Sequence, residues 1–232
     1  MFPEDIKLLS DAQVQQFIVD GFLVLPLDEL GDVFHRGVYH LTIERRPNAE
    51  LTDELDAAIP QVRTLLDSPT VRGALQSILG PGYIRHPHSG ATVDSCDLAA
   101  AQARGRSDQG WHRDSYWGVQ RVHHHRPRWL LCMYYPATIS LEMGPTAIVP
   151  GSQYYSLPGD GDGRARPPVQ PIRHDLIDDP QRIMQGNDLV ARDRLLRTML
   201  KSLDPSLREV PMVVKAGSFC CFHYDVYHRR MR

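Results

Sequence analysis

The chain opens its regular patterning with "LSDAQVQQFIVDGFLVLP", residues 9 to 26. Val14, Phe17 and Ile18 recur at helical spacing, Ser10 stands where an N-cap belongs, and Gly21 closes the run. A short apolar strand follows directly and ends at Pro26. Residues 50 to 79 are again helical in pattern, broken at "DSPT", where Ser68 caps and Pro69 takes the first helical position. Gly80, Pro81 and Gly82 stop that segment. Past Tyr83 the pattern shortens to β-rich runs separated by turn residues: "YIRHPHSGATVD", "RWLLCMYYPATI", "TAIVPGS" and "VPMVVKAGSFCCFHYDVYH". Helices first and strands later predict an antiparallel sheet system with helices packed outside it. Between Tyr154 and Glu209 lies a polar insertion, a Gly/Pro/Asp loop "LPGDGDGRARPPVQP" and then a helical stretch "DPQRIMQGNDLVARDRLLRTMLKSL". Its length suits a lid or a substrate-side excursion better than a separate domain.

Composition narrows the partners. Over 232 residues, 42% hydrophobic and 23% charged, the chain suits one globular domain with its own core. A formal net charge of −2 offers no electrostatic footprint for nucleic acid or an anionic membrane surface. The acidic start "MFPEDIKLLSDAQ" lacks the basic and apolar regions of a signal peptide, and no run reaches membrane-spanning length, so a cytoplasmic protein is expected. The cysteines at 96, 132, 220 and 221 contain no CxxC pair, and the adjacent two should point to opposite faces of a strand; they read as reduced core thiols.

Chemistry enters at "QGWHRDSYW", residues 109 to 117. On a strand His112 and Asp114 share a face, and an ionisable pair buried among aromatics needs a partner. A metal is one such partner, since two histidines and one carboxylate on one side of an ion leave positions open for reactants. The third ligand is sought in "AGSFCCFHYDVYHRR", read as a strand that starts at Gly217 and presents His228 inward at its far end. His223, Asp225 and His228 form a competing local triad, which would need a tight turn that no Gly or Pro supplies. A plain buried hydrogen-bonded pair is the third reading. The run "RVHHHRPR", residues 121 to 128, reads as a solvated loop, because adjacent histidines diverge in direction. Trp111, Tyr116, Trp117, Trp129 and Tyr135 read as core and pocket wall, and His86 and His88 as turn residues.

Together, "LSDAQVQQFIVDGFLVLP", "QGWHRD", "RWLLCMYYPATISLEMGPTAIVPGSQ" and "AGSFCCFHYDVYHRR" resemble the corresponding segments of the phytanoyl-CoA dioxygenase family, a branch of the iron(II)/2-oxoglutarate oxygenases. The resemblance implies a mainly β chain over 1–232, a double-stranded β-helix or jelly roll (83–232, insertion about 154–209) with an N-terminal helical part (1–82). It implies Fe(II), 2-oxoglutarate as co-substrate, O2, and a small organic substrate to be hydroxylated, with 2-oxoglutarate leaving as succinate. Carried onto this sequence, the metal positions are His112, Asp114 and His228. Tyr134 falls beside 2-oxoglutarate, Arg230 reaches the same co-substrate, and Gln109 and Thr146 lie near the site. The carboxylate at 114 favours hydroxylation over halogenation, which calls for a small residue there. The family's arginine for the distal carboxylate would come roughly ten residues after the distal histidine, past Arg232, so either the sequence is a C-terminally truncated form that lacks its last strand, or another basic residue, Arg128 or Arg230, substitutes. The alternatives are a catalytically silent or truncated member acting as a binding protein, and a cupin-like metalloenzyme that uses no 2-oxoglutarate.

Overall fold

Ser10 and Gln13 start the first helix as a reciprocal capping box: Ser10 Oγ accepts the Gln13 amide at 3.3 Å and Gln13 Oε1 accepts the Ser10 amide at 2.9 Å. The structure, a computed structural model, describes residues 6–45, 52–85, 114, 127, 129–154 and 208–231. Helix α1 (Asp11–Asp20) ends at Gly21, whose φ of 78° and amide bond to the Phe17 carbonyl at 2.9 Å form a left-handed cap. A Cβ there would sit 2.4 Å from Gln153 Oε1 and from the Val226 side chain, so only glycine lets the helix end lie against those two segments. Strand β1 (Phe22–Pro26) follows at once.

Four more helices come before the next strand: α2 (Gly31–Arg45), α3 (Thr52–Ala58), α4 (Gln61–Leu66) and α5 (Pro69–Leu79). The break at "DSPT" is as expected, with Ser68 Oγ accepting the Val71 amide and Pro69 in the first turn. On α5, Val71, Ala74, Leu75 and Ile78 are buried, an i, i+3, i+4, i+7 stripe. Gly73 on the same helix lets the incoming chain cross closely; a Cβ there would lie 1.7 Å from the Lys7 carbonyl oxygen.

The remaining strands are β2 (Leu130–Tyr135), β3 (Thr146–Ile148), β4 (Val210–Pro211), β5 (Ser218–His223) and β6 (His228–Arg230). They make two antiparallel three-stranded sheets, ordered β1-β5-β2 and β4-β3-β6. Side chains alternate along β5: Phe219 and Cys221 join Leu23, Leu25, Val71 and Leu75 in a core under the helices. Cys220 and Phe222 join Phe22, Ile148, Met212 and Val226 in a second core between the sheets. The two adjacent cysteines thus face opposite ways, as expected. Helical residues outnumber strand residues among those described, so the architecture seen is mixed helices and small antiparallel sheets rather than mainly β. Residues 86–113, 115–126 and 155–207, which hold one expected β-run, the HHH loop and most of the insertion, lie outside the described residues. No described helix is long and apolar enough to cross a membrane.

Among the helices, Asp56 gathers Arg63 at 2.9 Å and Arg85 at 2.9 Å while its own side chain is 8% exposed. Burial works against the carboxylate, but hydrogen bonds and charge from both arginines outweigh it and hold Asp56 below the usual aspartate range. A depressed folded-state value contributes stability above the unfolded value and loses it as pH falls through the folded one. Asp56→Asn should therefore lower Tm by a few degrees at pH 7, and the gap to the parent should narrow as the pH falls below the ordinary aspartate range; thermal melts across that range check this. Gly73→Ala should cost about 2 kcal/mol or more despite its better helix propensity, because the added methyl meets backbone rather than a movable side chain; denaturant melts read it directly.

Candidate metal centre

Strand β5 ends at His223, where the chain turns sharply. The Val226 amide bonds the His223 carbonyl at 2.9 Å, and the Asp225 amide bonds His223 Nδ1 at 3.1 Å. The expected unbroken strand from Gly217 to His228 is therefore two strands in different sheets, joined at a corner. No Gly or Pro is needed, because the His223 ring supplies the acceptor that a special backbone conformation would otherwise make unnecessary.

After the corner, Ser152 and Val149 hold the chain in place. Ser152 Oγ, fully buried, accepts the Tyr227 amide at 2.9 Å, and the Val149 amide bonds the Tyr227 carbonyl at 3.0 Å. Both come from "VPGS", and Tyr227 itself is fully buried. From there β6 pairs with β3, His228 opposite Ile148 and Arg230 opposite Thr146. Opposed residues share a face, and Ile148 belongs to the core between the sheets. His228, Arg230 and Thr146 thus face that same space.

His228 is 7% exposed, and its Nδ1 lies 3.1 Å from the Val226 carbonyl oxygen. A carbonyl only accepts, so Nδ1 carries the proton and Nε2 presents its lone pair. Nε2 lies 3.7 Å from Asp114 Oδ1. An imidazole nitrogen oriented by a backbone carbonyl and facing a carboxylate is a donor set that fits a divalent transition metal. Asp114 itself has a 3-10 rather than an extended conformation. His112 and Gln109, like the candidate Arg128, lie outside the described residues.

The competing triad fails on geometry. His223, Asp225 and His228 are all described, yet among the described residues no three His, Cys, Asp or Glu side chains gather closely enough to hold a metal ion. His223 Nδ1 already accepts the Asp225 amide and lies 3.9 Å from the Asp225 carboxylate.

Tyr134, expected beside 2-oxoglutarate, lies on the helix-side face of β2. It packs against the core under the helices and its hydroxyl lies 2.7 Å from His35 Nδ1. The phase of β2 is the reason: Leu131, Met133 and Tyr135 take the face toward the second sheet, and Leu130 and Tyr134 take the other. Tyr135 is the tyrosine on the His228 side. Its hydroxyl bonds Met133 Sδ at 3.3 Å, and burial pushes its phenol far up while a hydrogen bond with Thr146 pulls partly back.

Two residues that the sequence reading left aside also belong here. Tyr224, at the corner, has its ring centroid 6.4 Å from that of Trp129, and burial together with the Asp114 and Asp225 charges raises its phenol. Trp129 is 51% exposed, a surface shelf rather than the core residue expected. Ser152 is the second; "VPGS" was visible as a motif, but its role follows only from the bond to Tyr227.

The phytanoyl-CoA dioxygenase (PhyH) family model matches residues 40–229, most of the chain. No curated protein matches the sequence at a significant level. The fold is similar to the crystal structure of SnoK, a non-heme alpha-ketoglutarate-dependent carbocyclase from nogalamycin biosynthesis, with a TM-score of 0.53 at 15% identity, over 96% of this chain and 78% of that one. The chain therefore belongs to the phytanoyl-CoA dioxygenase family, a branch of the 2-oxoglutarate-dependent oxygenases.

Proposed function

We propose that the protein is an iron(II)/2-oxoglutarate-dependent dioxygenase that hydroxylates a small organic substrate on a double-stranded β-helix, with iron held by His112, Asp114 and His228. The observation that carries this reading is the 3.7 Å approach of His228 Nε2 to Asp114 Oδ1 from segments far apart in sequence. Family membership supports it, and so does the SnoK fold, whose own activity also depends on alpha-ketoglutarate. When bound, the metal with 2-oxoglutarate and O2 would supply the oxidising chemistry, and 2-oxoglutarate would leave as succinate and carbon dioxide.

The chain's own residues do the rest. The Val226 carbonyl keeps His228 Nδ1 protonated, so Nε2 stays available and the ring cannot swing. Arg230, on the same face and two residues further along β6, is the basic group for the distal carboxylate of 2-oxoglutarate, with Thr146 opposite it as a hydroxyl partner. Leu131, Met133 and Tyr135 wall the space from β2, and Ile148 from β3, which keeps water from the reacting face. Gln109 would add a polar contact from the segment that carries His112.

Anaerobic calorimetry with Mn(II) as a redox-quiet probe should show one site per chain. Asp114→Ala and His228→Ala should each weaken it by more than the roughly 10–100-fold that loss of an outer partner costs. Iron-loaded parent protein should form succinate from 2-oxoglutarate only when O2 is present. Unchanged Mn(II) affinity in Asp114→Ala refutes the metal assignment; intact metal binding with no succinate marks a silent binding member. Arg230→Ala should raise the KM for 2-oxoglutarate about tenfold or more while leaving Mn(II) affinity unaltered, and Arg230→Lys should recover part of the loss.

A further inference from the structure

Outside the proposed metal centre, three of the four cysteines lie together on the sheet that carries the helices. Cys132 on β2 stands directly opposite Cys221 on β5. The kind of opposition follows from the hydrogen bonding of β5. The His223 amide bonds the Gly21 carbonyl at 2.7 Å, so the odd-numbered amides of β5 point toward β1 and away from β2. On the β2 side, position 221 is therefore a non-hydrogen-bonded site, where opposed Cα atoms come within about 4.5 Å and side chains approach most closely. That separation lies inside the roughly 4.4–6.8 Å range a disulfide spans. The neighbouring Cys132 thiol and burial together raise the Cys221 thiol, as two sulfurs facing each other across the strands would. Access is one-sided: Cys132 is exposed and Cys221 is fully buried.

We propose that Cys132 and Cys221 are an oxidisable dithiol, a modification site at which hydrogen peroxide forms a cross-strand disulfide. Cys132, the exposed thiol, reacts first as its thiolate: its sulfur bonds one peroxide oxygen, the O–O bond breaks, and hydroxide leaves to take up a proton as water. The Cys221 sulfur then displaces hydroxyl from the Cys132 sulfenic acid. The S–O bond breaks, the S–S bond forms, and hydroxyl departs with the Cys221 proton as a second water. Two thiols and one peroxide give one disulfide and two waters, the two electrons passing to peroxide. Cys220 is no competitor despite its adjacency, since it faces the core between the sheets and burial pushes its thiol up to about 12.

The reaction is independent of metal loading, so its test is separate from that of the oxygenase reading. Treating the full chain with hydrogen peroxide should yield a species lighter by two hydrogen atoms, in which a peptide containing Cys132 is linked to the peptide containing Cys220 and Cys221. Cys132→Ser, at an exposed position, and Cys221→Ala should each abolish the link, whereas Cys220→Ala should keep it. Dithiothreitol should restore alkylation of both thiols. Should Cys221→Ala fold poorly, a bridging dithiol reagent, phenylarsine oxide, gives an independent reading: it should bind parent protein and not Cys132→Ser. The proposal is overturned if the link persists in Cys221→Ala, if the bond joins Cys220 or Cys96 instead, or if Cys132 only gains oxygen without cross-linking.

Discussion

Strand β5 is hydrogen-bonded on both sides, to β1 through five register pairs and to β2 through six, and the rest of the structure depends on the alternation this imposes. With both edges occupied, its side chains have only two directions to go. Phe219 and Cys221 go under the helices, Cys220 and Phe222 go between the sheets, and each choice fixes a core. The hydrophobic areas involved are large enough that slipping β5 by one residue would turn both cores inside out. Gly217, at φ 79°, sets the phase at the start of the strand, and a Cβ there would lie 2.4 Å from His35 Nε2. The same imidazole meets Tyr134 through its other nitrogen, so helix α2 is keyed to the sheet at the point where β5 begins.

The far end of β5 matters for the opposite reason: there the alternation is interrupted. At the His223–Val226 turn the chain leaves one sheet and enters the other within four residues, and that change of sheet brings His228 round to face Asp114. The neighbours of the corner are arranged to hold it rather than to fill it. Gly21 at the end of α1, Ser152 and Val149 from the "VPGS" turn, and the His223 ring each contribute one backbone hydrogen bond to the chain at 223–227.

Much of this was legible in the sequence where local chemistry decides the outcome. The Ser10 cap, the Gly21 stop, the Pro26 strand end and the Ser68–Pro69 restart all stand as read, because caps and punctuating residues act over three or four positions. Helix α2 leaves little trace in the sequence, since its apolar positions are weakly periodic. Which of Tyr134 and Tyr135 faces the space between the sheets is not resolved by pattern alone, because Leu130 to Tyr135 are apolar or aromatic on both faces. The corner after His223 carries no sequence signal of a break, because its turn rests on a side-chain acceptor rather than on Gly or Pro. The 3.7 Å approach of Asp114 to His228 joins segments that no local pattern connects.

Because the whole chain between Pro26 and Ser218 separates β1 from its bonding partner β5, the sheet they share cannot close until β5 has left the ribosome. Until then the helices that follow β1 hold an apolar surface with no sheet to cover it. Local helix formation is fast and pairing across so long a separation is slow. The nascent protein therefore passes through a stage in which its first third is formed and sticky, and its yield in a cell should depend on chaperone supply more than the final structure would suggest.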